Sequence, residues 1–323
     1  MPQLDKVKIV SLLPSATEIV CALGLADRLA GITHECDHPE EIADRPALTA
    51  SLISHGSMSS REIDHAVRSS LSGHGSIYEL DEDLLSEIDP SLIITQELCD
   101  VCAVSYDEVT KAARKYTAGA TVVSLEPNTI EDILSNIQTV SDLASVPEQG
   151  RRVTRSLGLR LDALKETTQG LADKPRVMML EWLDPPFAPG HWVPEQVEIA
   201  GGIPALGTAG KKSVTTTFEE IAESNADVLV LIPCGYNTED ILRQVPKTRF
   251  PKVFSALPAF RKGEVWALDA SAYFSRPGPR VVDGAEILAK ILHPRTFGAP
   301  EQDEAVKVDR ALFNFSTDDI ESE

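Results

Sequence analysis

Positive charge is scarce in this chain: 30 lysines and arginines stand against 50 aspartates and glutamates, a formal net charge of -20 over 323 residues. That imbalance repels phosphate backbones and anionic lipid surfaces, which argues against nucleic-acid binding and favours solubility or a cationic partner. The acidic residues are spread out with few runs, the pattern of a solvated surface suited to high salt rather than of one docking face. No apolar run approaches the roughly 20 residues that a bilayer crossing needs, so no membrane insertion is expected. The first apolar stretch, Ile9-Val10-Ser11-Leu12-Leu13, is broken by Pro14 and then by Glu18, and does not read as an export signal. The five cysteines, Cys21, Cys36, Cys99, Cys102 and Cys234, are odd in number and lack framework spacing, so no disulfide scaffold is indicated. With no leader in view, reduced thiols in the cytoplasm are the expectation; a leader removed beforehand, with a periplasmic location, reads identically. Missing too are a nucleophile elbow, a phosphate-cradling glycine loop and a dinucleotide fingerprint. Ser15, His34 and Asp37 form a nucleophile-like set, but without those surroundings the expectation is a binding protein, not an enzyme.

What is present is ample apolar content, 42%, in a chain longer than one core usually serves, so two lobes are expected. Short strands at residues 8–13, 29–33, 92–95 and 121–125 are each followed by a polar, helix-starting segment, the signature of a parallel sheet with covering helices. Ser15 or Thr17 is expected to cap the first helix, whose stripe Ile19, Val20 and Leu23 ends near Gly24. Residues 130–170 read as a short helix followed by a long one from Pro147 to about Thr167, a stiff connector that disfavours large closure. Strands at 176–180, 228–232 and 265–268, with helices at 194–200, 218–224 and 281–291, make a second α/β lobe. The expected organisation is an N-terminal lobe over 1–130, connecting helices over 131–172, a C-terminal lobe over 173–300 and an acidic tail over 301–323. With one apolar patch, Leu312-Phe313-Asn314-Phe315, the tail is expected to be mobile or lightly docked.

Chemistry is expected where polar residues directly follow buried strands, because those loops line the ligand crevice of an open α/β sheet. In the first lobe they carry Ser15 and Thr17, then His34, Cys36 and Asp37, then Glu97, Cys99, Asp100 and Cys102. The two-residue gap lets Cys99 and Cys102 reach one metal ion, yet one pair is half a site, and His34, Cys36 and His38 complete it only in a favourable loop. Pocket lining, metal binding and redox work, the last two as a metal- or thiol-dependent enzyme, all stay open for this loop, and the metal is unknown. Glu97 and Asp100 serve either acid–base chemistry or nearby backbone amides. In the second lobe Trp182, Phe187, His191 and Trp192 surround Pro185-Pro186, either as a flat wall for a large conjugated ligand or as core. Tyr236, Tyr273 and Arg276 follow later strands, and the planar fork of Arg276 suits an amide, carboxylate or phosphate.

In the order SLLPSATEIVCALGL, GITHECDHP, ELCDVCAVS, EWLDPPFAPGHWVPE and SRPGPRVVDGAEILA, the chain resembles the cobalamin-type branch of the substrate-binding proteins of ABC importers, which also includes iron-siderophore binders. The resemblance runs over residues 8–293. It implies an α/β fold of two Rossmann-like lobes joined by one long α-helix, with a ligand cleft between lobes and little hinge motion. A corrinoid is the implied ligand, an iron-siderophore or haem-like compound the alternative, and no cofactor is required. An ABC permease is the implied partner. The acidic residues that dock on its arginines would be Glu219 in the second lobe and, by a looser match, Glu82 or Asp83 in the first.

Overall fold

The computed structural model describes residues 7–52, 58–74, 77–96, 106–117 and 119–316. Its chain divides into two compact units, one of residues 1–56, 65–127 and 131–156, the other of residues 57–64, 128–130 and 157–323. Among the described residues no helix is long and apolar enough to cross a membrane.

The first unit runs through β1 (Ile9–Ser11), α1 (Pro14–Ala22), β2 (Leu29–Gly31) and β3 (Thr49–Ser51). Then come α2 (Ser60–His74), β4 (Tyr78–Leu80), α3 (Glu82–Ile88), β5 (Leu92–Thr95), α4 (Tyr106–Tyr116), β6 (Thr121–Ser124) and α5 (Ile130–Leu143). The start of α2, residues 60–64, belongs to the second unit, and α6 (Pro147–Gln169) is divided between the units after Ser156. The sheet is parallel in the order β2-β1-β5-β6, with Ile9 opposite both Leu29 and Leu92. β1 and β5 are buried along their whole length, which is why their sequences are continuous apolar runs rather than alternations. The chain leaves β1 for β2 on one side and builds β5 and β6 on the other, so the order reverses beside β1.

α1 begins differently from expectation. Pro14 occupies its first turn, Leu13 is the N-cap with no side-chain cap, and Ser15 and Thr17 lie inside the helix, both buried. The proline ring pre-sets the φ that the first turn needs and has no N–H to satisfy, so a capping hydroxyl further along has no role. The helix stops before Gly24, at φ 73°.

The second unit continues with β7 (Arg176–Leu180), β8 (Trp182–Leu183), β9 (Pro186–Ala188), α7 (Val193–Ile199), β10 (Ile203–Pro204), β11 (Val214–Thr215), α8 (Phe218–Glu223) and β12 (Val228–Leu231). It closes with α9 (Thr238–Gln244), β13 (Arg249–Phe250), α10 (Pro258–Lys262), β14 (Val265–Ala267), α11 (Ala270–Tyr273), α12 (Val281–Leu292), α13 (Pro294–Phe297), β15 (Val306–Lys307) and β16 (Asn314–Phe315). Its main sheet, β10-β7-β12-β14-β15, is parallel apart from the antiparallel edge strand β15. Order reverses beside β7, which places a switch point between the carboxyl ends of β7 and β12. In open α/β sheets that is where ligands bind.

The described part of the acidic tail, residues 301–316, is docked, and more firmly than the mobile or lightly docked segment expected. β15 extends the main sheet, with Trp266 opposite Lys307, and β16 pairs with β13, with Phe250 opposite Phe315. Phe313 is 6% exposed, and its ring lies 5.1 Å from that of Phe250 and 4.9 Å from that of Phe260. Burying one aromatic ring outweighs the tendency of the flanking acidic residues to stay solvated, because such a ring removes a large apolar area from water. Replacing Phe313 with alanine should therefore cost about 3 kcal/mol in denaturant unfolding; a loss within about 0.5 kcal/mol, as at an exposed position, would contradict the docking.

Candidate functional site

At the switch point of the second sheet, the N–H of Cys234 donates to the carbonyl of Glu181 (3.0 Å), holding the exits of β12 and β7 together. The N–H of Glu181 donates to the carbonyl of Phe187 (3.1 Å), so the chain turns directly from β7 into the β8–β9 hairpin. There Trp182 stands opposite Phe187 and Leu183 opposite Pro186. Strand alternation sends Leu183 and Pro186 into the interior and leaves Trp182 and Phe187 half-buried on the other face. Thr215 of β11 continues the row opposite Phe187. Tyr236, just after β12, meets Trp182 edge-on with ring centroids 5.5 Å apart. The indole N–H of Trp182 donates to the carbonyl of Ser60 (3.2 Å). The result is an aromatic platform of Tyr236, Trp182 and Phe187 at the strand ends.

The carboxyl group of Glu181 sits behind this platform, accepting from the Ser213 hydroxyl and the Gly190 N–H. Burial pushes its pKa up to about 8, so at neutral pH it is largely protonated. Gly190 can only be glycine here, since a Cβ would fall 2.3 Å from both the Lys211 carbonyl oxygen and the Ser213 nitrogen. The next residue, His191, is held at φ 50° with its N–H on the Lys211 carbonyl (2.5 Å) and its carbonyl accepting from Gly210 (2.9 Å). Its Nδ1 lies 3.3 Å from Asn128 Oδ1. An amide oxygen only accepts, so this contact places the proton on Nδ1 and leaves a lone pair on Nε2. Burial, with Lys212 nearby, holds the imidazole below the usual histidine range, and it is neutral at pH 7.

Of the two readings for the tryptophans, wall or core, Trp192 takes the second. It is 5% exposed and its indole N–H donates to the Phe274 carbonyl (2.9 Å), which makes it a core side chain. One turn along, the buried amide of Gln196 donates to the carbonyls of Tyr273 (3.0 Å) and Val281 (2.8 Å). These bonds fix, from behind, the segment that carries the half-buried Tyr273 and Arg276. Burial raises the Tyr273 phenol above its ordinary pKa, and that of Tyr236 rises to about 12 for the same reason. Glu181 and Gln196 are the residues that sequence reasoning missed. A lone carboxylate one residue past a fully apolar strand was the available signal for Glu181; nothing marked Gln196.

In the first unit the expected residues fall into two groups. Thr17, fully buried, donates to Ser11 Oγ (2.9 Å) and contacts Cys36 Sγ at 3.1 Å, while Ser15 is 2% exposed. His34 and Asp37 are exposed; the His34 ring nitrogen Nδ1 lies 2.7 Å from Thr49 Oγ1, and its ring is 5.5 Å from that of Tyr78. The imidazole is thus engaged by Thr49, and no hydrogen bond among the described residues joins it to Ser15. Glu97, Cys99, Asp100 and Cys102 lie outside the described residues. Among the described residues no group of three histidine, cysteine or acidic side chains is arranged to hold a metal ion. Asp83 and Glu219 are exposed in the first turns of α3 and α8.

The sequence profile of a family described as periplasmic binding protein matches residues 9–272. The chain belongs to this family. It is 22% identical over 282 residues to the vitamin B12-binding protein of Vibrio cholerae, covering 86% of each chain. Two solved structures share the fold. The periplasmic vitamin B12 binding protein BtuF of Vibrio cholerae superposes with a TM-score of 0.64 at 21% identity, over 88% of this chain and 96% of that one. The periplasmic heme-binding protein RhuT of Roseiflexus sp. RS-1 gives 0.66 at 20% identity, over 89% and 98%.

The second-unit site offers an apolar aromatic surface, a neutral imidazole and a protonated carboxyl. From the ordinary glutamate value of 4.5 up to about 8, the folded chain retains a proton on Glu181 that the unfolded chain has released. Stability therefore declines as pH rises through that window and levels off above it. Glu181→Gln keeps the shape and the acceptor oxygen but cannot titrate. Urea unfolding at several pH values should show a shallower decline in the variant, whereas identical slopes would assign the dependence to another group.

Proposed function

We propose that this protein is a carrier that binds a corrinoid of the cobalamin type on the aromatic platform of its second unit and delivers it, chemically unchanged, to an ABC permease. The row Tyr236, Trp182 and Phe187 at the switch point carries this reading. A large macrocycle gains most from a rigid, flat apolar surface with a few polar groups at its margin. Tyr273, Arg276 and His191 supply such groups for the amide side chains of a corrin, and the vitamin B12-binding relatives agree with the choice. One observation favours a haem-like ligand instead: the open Nε2 of His191 is suited to coordinate an iron centre. Within this proposal, the exposed Asp83 and Glu219 are the carboxylates that meet the permease.

Calorimetric titration with cyanocobalamin is expected to saturate at one ligand per chain, with haemin binding more weakly. Trp182→Ala and Phe187→Ala should each reduce affinity several-fold, about 1 kcal/mol per ring, with little change in thermal midpoint. Unchanged affinity in both variants would remove the platform from the site. Saturation by haemin with none by cobalamin would transfer the assignment to the haem-like reading.

A further inference from the structure

Beside the platform the second unit has a cavity of about 380 Å³ whose lining includes Ser59, Ser60, Arg61, Asp184, Lys247 and Arg249. Three cations face one carboxylate there, in a chain where acidic residues outnumber basic ones by 50 to 30. Arg61 grips Asp184 through two parallel bonds, Nε to Oδ2 at 2.9 Å and Nη2 to Oδ1 at 3.0 Å. That pair neutralises itself and leaves Nη1 of Arg61 available. The side chains of Lys247 and Arg249 have neither a hydrogen bond nor an ion pair to any described residue. Two uncompensated positive charges lining a concave surface repel each other unless an anion joins them.

The backbone adds to this field. Ser59 caps α2, its N–H and hydroxyl donating to the Glu62 carboxylate and its Oγ accepting from the Glu62 N–H, and Ser59, Ser60 and Arg61 at the start of this 15-residue helix line the cavity near the positive end of its dipole, which that carboxylate partly offsets. The cavity also joins the platform. The Trp182 indole bonds to Ser60, and Asp184 is two residues beyond Trp182 on the hairpin turn.

We propose that this cavity is a site for a phosphate group, and that its occupant is the phosphodiester in the nucleotide loop of a complete corrinoid whose ring lies on the platform. The second clause rests on the corrinoid reading; the first does not. Arg249, Lys247 and the open Nη1 of Arg61 contact the phosphate oxygens, and Asp184 orients Arg61. Complete corrinoids carry this group and cobinamide, which lacks the nucleotide loop, does not, so the cavity makes the protein discriminate between them.

The test uses the full chain and the double variant Lys247→Gln with Arg249→Gln, both exposed positions where folding is checked by an unchanged thermal midpoint. Each protein is titrated at low salt with cobalamin, cobinamide and inorganic phosphate. Wild type should bind cobalamin about tenfold more tightly than cobinamide, and the variant should lose that preference by weakening for cobalamin alone. Inorganic phosphate should bind wild type saturably and the variant about tenfold more weakly. Phosphate binding that responds to the variant, with equal affinities for the two corrinoids, would overturn the nucleotide-loop occupant and assign the site to free phosphate groups. No saturable phosphate binding together with no corrinoid preference would overturn the site. If neither corrinoid binds wild type, it is the corrinoid reading that fails, and the phosphate titration alone then upholds or overturns the anion site.

Discussion

The carboxyl group of Glu181 joins three stretches of chain that the β8–β9–β11 ladder sets side by side. It stands at the end of β7, accepts a hydrogen bond from the Ser213 hydroxyl before β11, and accepts another from the Gly190 N–H after β9. Burial raises its pKa to about 8, so the group does this work without placing a bare charge in the interior. The close approach at Gly190, the backbone bonds that pin His191 and the bond from the Glu181 N–H to Phe187 surround this carboxyl and hold the same stretches together. Trp182 and Phe187 are presented outward because that hairpin can adopt only one register against the sheet edge.

A second set of bonds steadies the site from the interior. Trp192 and Gln196 reach across to the carbonyls of Phe274, Tyr273 and Val281, so the segment bearing Tyr273 and Arg276 is fixed by buried donors rather than by its own sequence. Glu195 adds a bond to the N–H of Ile130 (2.8 Å) and so ties residues 128–130, with Asn128 beside His191, to this unit. Buried bonds within the protein fix these groups, and groups held in this way lower the ordering cost of binding.

Much of the fold was legible because buried parallel strands leave an unambiguous mark. Residues 177–180 and 92–94 are continuous apolar runs, and both lie in strands. The break at Pro147 was equally legible, since proline fits a first helical turn. Which face a side chain takes was harder to read. Trp182 and Trp192 flank the same proline-stiffened loop, and only tertiary contacts send one to the platform and the other to the core. The membership of residues 57–64 in the second unit rests on Ser60 meeting Trp182 and Gln244, contacts between positions more than a hundred residues apart that no local pattern encodes. The tail misled because its acidic composition outweighed two phenylalanines, whereas in the structure the rings of Phe313 and Phe315 decide.

The central claim is that the strand-end face of the second unit receives the ligand and is largely formed in advance. Amide hydrogen exchange on the full chain, with and without saturating cobalamin, tests it most directly. Slowed exchange confined chiefly to residues 181–192, 234–236 and 273–276, starting from protection already substantial in the free protein, is the expected result. Slowing that spares all three segments, in a protein that demonstrably binds the ligand, would contradict the account.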